Sequence, residues 1–129
     1  MITDAFRKSV KALNKHGFVL LLGEPASGKS MIASALSLAA ADKWGCQVVK
    51  VRDAAHFDER WNPDEPKQFF WVDDALGQTQ YDRDRALSWN HEFQHLDAAI
   101  KGGARVVFTS RDYIYREALD DLKESAVAG

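Results

Sequence analysis

The sequence predicts an α/β fold in three layers, with helices on both faces of a mainly parallel sheet. Three observations lead there. Short apolar runs at residues 18–22, 47–51, 69–72 and 105–109 alternate with helix-patterned segments, and strands covered on both faces read as near-continuous apolar runs. A glycine-containing loop separates the first run from an alanine-rich helical stretch. The chain has 129 residues, 46% of them hydrophobic and 28% charged, the size and composition of one folded domain over residues 1–129.

Each element has a local cause. Ile2, Phe6, Val10 and Leu13 recur at helical spacing, and Asn14-Lys15-His16-Gly17 supplies a turn before the first strand. Residues 30–43 are rich in Ala, Leu and Met, good helix formers, and Gly45 follows as a stop. The polar, proline-containing segment 58–67 reads as a connection between the second and third strands. Trp89, Phe93, Leu96 and Ile100 fall on one face of a single helix over residues 85–100, which Gly102 and Gly103 end. A last helix is expected from about residue 113 to 123.

Composition excludes some functions. The formal net charge of -2 gives no global attraction to nucleic acid or anionic membranes. No apolar stretch approaches the roughly 20 residues of a membrane span. The single cysteine, Cys46, cannot form an internal disulfide, and beside an apolar run it reads as a small buried hydrophobe in a reducing, cytoplasmic compartment.

Ligands of parallel α/β sheets bind beyond the carboxyl ends of the strands, so the residues after Leu22, Val72 and Phe108 should converge. After the first strand come Gly23, Glu24, Pro25, Ala26, Ser27, Gly28, Lys29 and Ser30. This is the P-loop pattern in its strand-loop-helix context. Gly23 and Gly28 allow a tight turn whose N–H groups point inward, and the helix N-terminus adds positive potential for phosphates. The expected nucleotide contacts run from Gly23 through Met31, with Lys29 on the β and γ phosphates and the Ser30 hydroxyl on Mg²⁺.

The third strand ends in Asp73-Asp74, the arrangement of a Walker B strand. Asp73 is expected to hold Mg²⁺, directly or through water, and Asp74 to orient or deprotonate the attacking water. The fourth strand ends in two hydroxyls and an arginine, Thr109-Ser110-Arg111, and as a sheet neighbour of the first it would present them to the γ-phosphate, which Arg111 could sense or stabilise. A surface pairing of Arg111 with Asp112 or Glu117 is the alternative. The nucleotide is expected to be ATP or ADP rather than GTP, because no guanine-reading Asn/Thr-Lys-x-Asp element occurs.

Gly23-Glu-Pro-Ala-Ser-Gly-Lys-Ser30, Trp71-Val-Asp-Asp-Ala-Leu-Gly77 and Phe108-Thr-Ser-Arg-Asp-Tyr-Ile114 together resemble the STAND branch of P-loop ATPases, especially the novel STAND NTPase domains of the third type. The resemblance runs from about Ile2 to Lys123. It implies an ATP-hydrolysing switch module of signalling or antiviral-defence proteins, with ATP-driven self-association through this domain and with effector or sensor domains outside this chain. It also implies that Asp73 and Asp74 are the Walker B acids and Arg111 the first-sensor arginine. The family core continues into a fifth strand and a helical lid, so the chain is expected to be a fragment or a minimal version whose turnover depends on those parts. A small P-loop phosphotransferase and a non-hydrolysing nucleotide-binding scaffold are the alternatives.

One motif competes. His91-Glu92-Phe93-Gln94-His95 matches the zinc-peptidase pattern on the predicted helix. A catalytic zinc needs a third ligand, for which only Glu117 offers itself, so the histidines are expected on a solvated helix face. Arg83 or Arg85 in the mixed-charge segment 81–85 is a weaker candidate for an arginine finger. Asp53 and His56, beyond the second strand, are weaker candidates for nucleotide contact, and Trp44 and Trp61 are expected to pack at core edges.

Overall fold

The computed structural model describes residues 4–23, 29–77 and 80–118. In chain order these form α1 (Asp4–His16), β1 (Phe18–Gly23), α2 (Lys29–Lys43), β2 (Gln47–Val51) and α3 (Ala54–Arg60). Then follow β3 (Gln68–Val72), α4 (Arg83–His91), α5 (Phe93–Lys101), β4 (Arg105–Arg111) and α6 (Asp112–Ala118). The fold is α/β, and the described strands form one parallel sheet in the order β1-β4-β3-β2.

Side-chain alternation along the strands divides the interior into two cores. Phe69 and Val107 join Leu13, Leu21, Ala33 and Leu36 on the face covered by α1 and α2. Phe70 and Val106 point the other way, into a larger core with Phe57, Val72, Trp89, Leu96 and Phe108 under α3, α4 and α5. Phe57 lies edge-on to Phe70 with ring centroids 4.9 Å apart, and Trp89 edge-on to Phe108 at 4.7 Å. Each buried Phe or Leu contributes about 1.5–3 kcal/mol of hydrophobic stabilisation, so this double core holds the sheet in three layers. Cys46 is a free, buried thiol, and Trp44 and Trp61 pack against the two cores as half-buried rims.

Two expectations are corrected. The connection after β2 contains a short helix, α3, which begins where Asp53 caps it by accepting a hydrogen bond from the His56 N–H over 2.8 Å. The expected single helix over residues 85–100 is two, because the pattern is interrupted at Glu92, whose φ of -86° and ψ of 0° leave ideal helical geometry. Beyond that interruption Leu96 and Ala99 are the buried positions, while Phe93 and Ile100 are only half-buried. The face that packs on the sheet has shifted round the helix. Smaller differences extend β1 to Gly23, start β3 at Gln68, and carry β4 on to Arg111. Gln68 is buried because its amide donates to the carbonyls of Asn62 at 2.8 Å and Glu65 at 2.6 Å, pinning the polar connection before β3.

Candidate functional site

Parallel pairing fixes which residues meet at the carboxyl edge. Gly23, the last residue of β1, is in register with Arg111, the last of β4, and Val72 of β3 is in register with Phe108. Asp73, just beyond the end of β3, therefore stands level with Thr109 inside β4. The Thr109 hydroxyl donates to Asp73 Oδ1 over 2.6 Å and accepts the Asp74 N–H over 2.9 Å. The Thr109 carbonyl accepts the Ala75 N–H at 3.0 Å. Thr109 is fully buried.

These bonds hold an unusual backbone. Asp74 has φ of +50°, the left-handed region, which costs a residue with a Cβ about 1–2 kcal/mol and which Asp and Asn tolerate best. The Gly77 N–H closes the turn on the Asp74 carbonyl at 3.1 Å. Asp73 and Asp74 thus leave β3 in a fixed turn, as a pair of carboxylates of which Asp73 has one oxygen engaged by Thr109. The other oxygen is a hard anionic donor of the type Mg²⁺ prefers, so the residues present fit that ion.

Arg111 donates from Nη1 to the Tyr113 hydroxyl at 3.3 Å. That bond, and more weakly the charge of Asp74, raises the guanidinium pKa above its ordinary value, so Arg111 is a permanent cation beside the acidic pair. Its Nε is buried without an acceptor among the described residues. Neither alternative partner, Asp112 nor Glu117, has a described side chain.

On the P-loop side, Glu24, Pro25, Ala26, Ser27 and Gly28 lie outside the described residues, and for Lys29 and Ser30 the backbone alone is described, as the first two residues of α2. Gly23 is the last residue of β1, and Met31 is 77% exposed. The loop therefore runs from the carboxyl end of β1 to the amino end of a 15-residue helix, as phosphate binding at a helix N-terminus requires.

β4 lies between β1, which leads into the P-loop segment, and β3, which leads into the acidic pair, and it delivers Thr109 and Arg111 to the gap. A model of the family described as Novel STAND NTPase 3 matches residues 1–128. The chain belongs to that family. No match emerges among curated proteins. Membership in the novel STAND NTPases brings nucleotide binding as the family theme.

Three of the weaker candidates make local hydrogen bonds. Asp53 caps α3, and His56 Nδ1 accepts the Arg52 N–H at 3.1 Å. In segment 81–85, Asp82 caps α4 by accepting the Arg85 N–H, and Arg85 Nη2 donates to the Arg52 carbonyl at 2.8 Å. A cleft of about 550 Å³ lined by Gly77, Gln80, Tyr81, Asp82, Arg83, Asp84 and Arg85 opens beside the acidic turn. His95 is brought together with Glu92 and Asp58, not with His91. Among the described helices none is long and apolar enough to cross a membrane.

Sequence reasoning placed Thr109 at the strand end facing the γ-phosphate but missed its bonds to Asp73 and Asp74. Only the strand order reveals that this hydroxyl faces the acidic pair.

Proposed function

We propose that this novel STAND NTPase domain binds ATP with Mg²⁺ and hydrolyses it as a nucleotide-gated switch. The observation that supports this reading is the buried Thr109 hydroxyl joining Asp73 and Asp74 at 2.6 and 2.9 Å, one strand away from the end of the phosphate-loop strand. Gly23 through Met31 would cradle the phosphates, with backbone N–H groups from Gly23, Glu24, Pro25, Ala26, Ser27 and Gly28 and the Lys29 ammonium on the β and γ groups. Mg²⁺, held by Ser30 and Asp73, would neutralise phosphate charge.

Asp74 orients a water and accepts its proton as the water oxygen attacks the γ-phosphorus. The bond from that phosphorus to the β–γ bridging oxygen breaks, and ADP and inorganic phosphate separate. Arg111, cationic and in register with Gly23, offers donors to the charge that develops on the γ-phosphoryl oxygens. Hydrolysis favours a switch over phosphotransfer because the pair of acids places a base for water beside the metal ligand. In the switch, the γ-phosphate's presence is read by Arg111 and passed to self-association through this domain and to effector or sensor domains in a cytoplasmic signalling or defence protein.

The test is Mg-dependent ATP binding and turnover by the purified chain beside Lys29→Ala and Asp74→Asn, with GTP as competitor. Binding lost in Lys29→Ala and turnover alone lost in Asp74→Asn is the expected result. Binding that survives Lys29→Ala, or preference for GTP, would overturn the assignment.

A further inference from the structure

The His-Glu-x-x-His segment is left over by the nucleotide reading, and its geometry is not that of a peptidase. His95 Nδ1 lies 3.1 Å from Glu92 Oε2 and 3.2 Å from Asp58 Oδ1. The three ligand atoms all fall within 4.8 Å of one another. They come from two parts of the fold: Asp58 from α3, and Glu92 and His95 from the interruption between α4 and α5 and the first turn of α5. His91 is outside the cluster.

We propose that Asp58, Glu92 and His95 form a binding site for a first-row divalent cation of the zinc type. The decisive point is that both carboxylates converge on the same ring nitrogen. A protonated imidazole carries one hydrogen on Nδ1, and one hydrogen cannot point well at two anionic oxygens at once. A divalent cation meets all three donors together. Zinc bonds to nitrogen and oxygen of about 2.0–2.2 Å place neighbouring ligands of a tetrahedral shell roughly 3.3 Å apart, close to the two separations present.

The surroundings suit such a site. The His95 ring sits 5.8 Å from the Trp61 ring, which itself stacks on Phe57, so one side of the imidazole borders an aromatic wall. Side-chain exposures of 54% for His95 and 51% for Asp58, against 19% for Glu92, leave room for water to complete the shell. One imidazole with two carboxylates selects Zn²⁺, Co²⁺, Ni²⁺ or Mn²⁺ over Mg²⁺, which prefers all-oxygen shells. The site is therefore chemically separate from the nucleotide's magnesium and does not rest on the hydrolytic reading. Bound there, the ion clips α3 to the α4–α5 junction.

The test is isothermal titration of the chelator-treated full chain with zinc chloride in excess magnesium chloride, for the wild type, His95→Asn, Asp58→Asn and His91→Asn. One saturable site per chain is expected, weakened at least about tenfold in His95→Asn and Asp58→Asn, as loss of support at metal sites usually does, and unchanged in His91→Asn. In the wild-type chain, zinc should shift the His95 ring resonances and leave those of His91 in place, a readout that needs no variant to fold. Absence of a saturable site, titration of His95→Asn or Asp58→Asn like the wild type, or a requirement for His91 would each overturn the proposal.

Discussion

Thr109 on β4 and Asp73 at the end of β3 are joined by a 2.6 Å hydrogen bond in which the buried hydroxyl is the donor. Its one proton is committed to Asp73, and its lone pair takes the Asp74 N–H. Thr109→Val keeps the shape and removes both bonds, leaving a backbone N–H and a carboxylate oxygen without their partner. The expected loss is about 1–3 kcal/mol of folding stability, with Thr109→Ser near wild type. Urea unfolding of the three proteins measures it.

Asp74 stands at φ of +50°, so the choice of substitution matters. Asn tolerates the left-handed region almost as well as Asp, and Asp74→Asn should therefore melt within about a degree or two of wild type while losing ATP turnover. Asp74→Val, β-branched and ill-suited to that region, should lose stability as well. Differential scanning calorimetry beside phosphate release separates the two effects.

Arg111 is in register with Gly23 across the β1–β4 pair. If Arg111 acts on transition-state charge as proposed, Arg111→Ala should lower turnover about a hundredfold or more while nucleotide affinity changes less. Steady-state kinetics with an independent binding titration gives the split.

Gly77 has φ of +128°, and a Cβ there would collide with the Gln80 carbonyl oxygen. Gly77→Ala should cost at least about 2 kcal/mol and disturb the turn that presents Asp74, whose carbonyl the Gly77 N–H engages. Denaturant midpoints measure the cost.

Chiefly through its hydrogen bond to Glu92, and then through the charges of Glu92 and Asp58, the His95 imidazole pKa is raised above its ordinary 6.5. The folded chain thus holds this proton more tightly than the unfolded one. The stabilisation is complete below 6.5, the ordinary value that the unfolded chain keeps, and is lost as pH rises through the higher folded value. In metal-free buffer the melting temperature should carry a component that declines across that window and is absent in His95→Asn.

Much of this was legible in the residues. Continuous apolar strands, the P-loop between strand and helix, and the Asp73-Asp74 and Thr109-Ser110-Arg111 strand ends predict a parallel α/β sheet with its chemistry at one edge. What escaped has physical reasons. α3 carries one large apolar residue, Phe57, in a seven-residue helix, too short to show a period, and its signal lay in Asp53 as a cap. The interruption at Glu92 has no proline or glycine to announce it and comes with the separate seating of Trp89 and Leu96 in the core. The meeting of His95 with Asp58 joins residues far apart in the chain, which no local spacing encodes.

The central place of β4 bears on how the domain comes into being. The strand that leads into the P-loop segment leaves the ribosome well before its pairing partner in the described sheet, β4, which begins only at Arg105. Until then β2 and β3 can pair with each other while β1 has no neighbour, and closing so long a loop costs entropy before any contact offsets it. A nascent chain stalled before that point leaves β1 without its sheet neighbour, the kind of exposed apolar edge that favours aggregation. The gap at the carboxyl edge therefore forms only when β4 slides between β1 and β3.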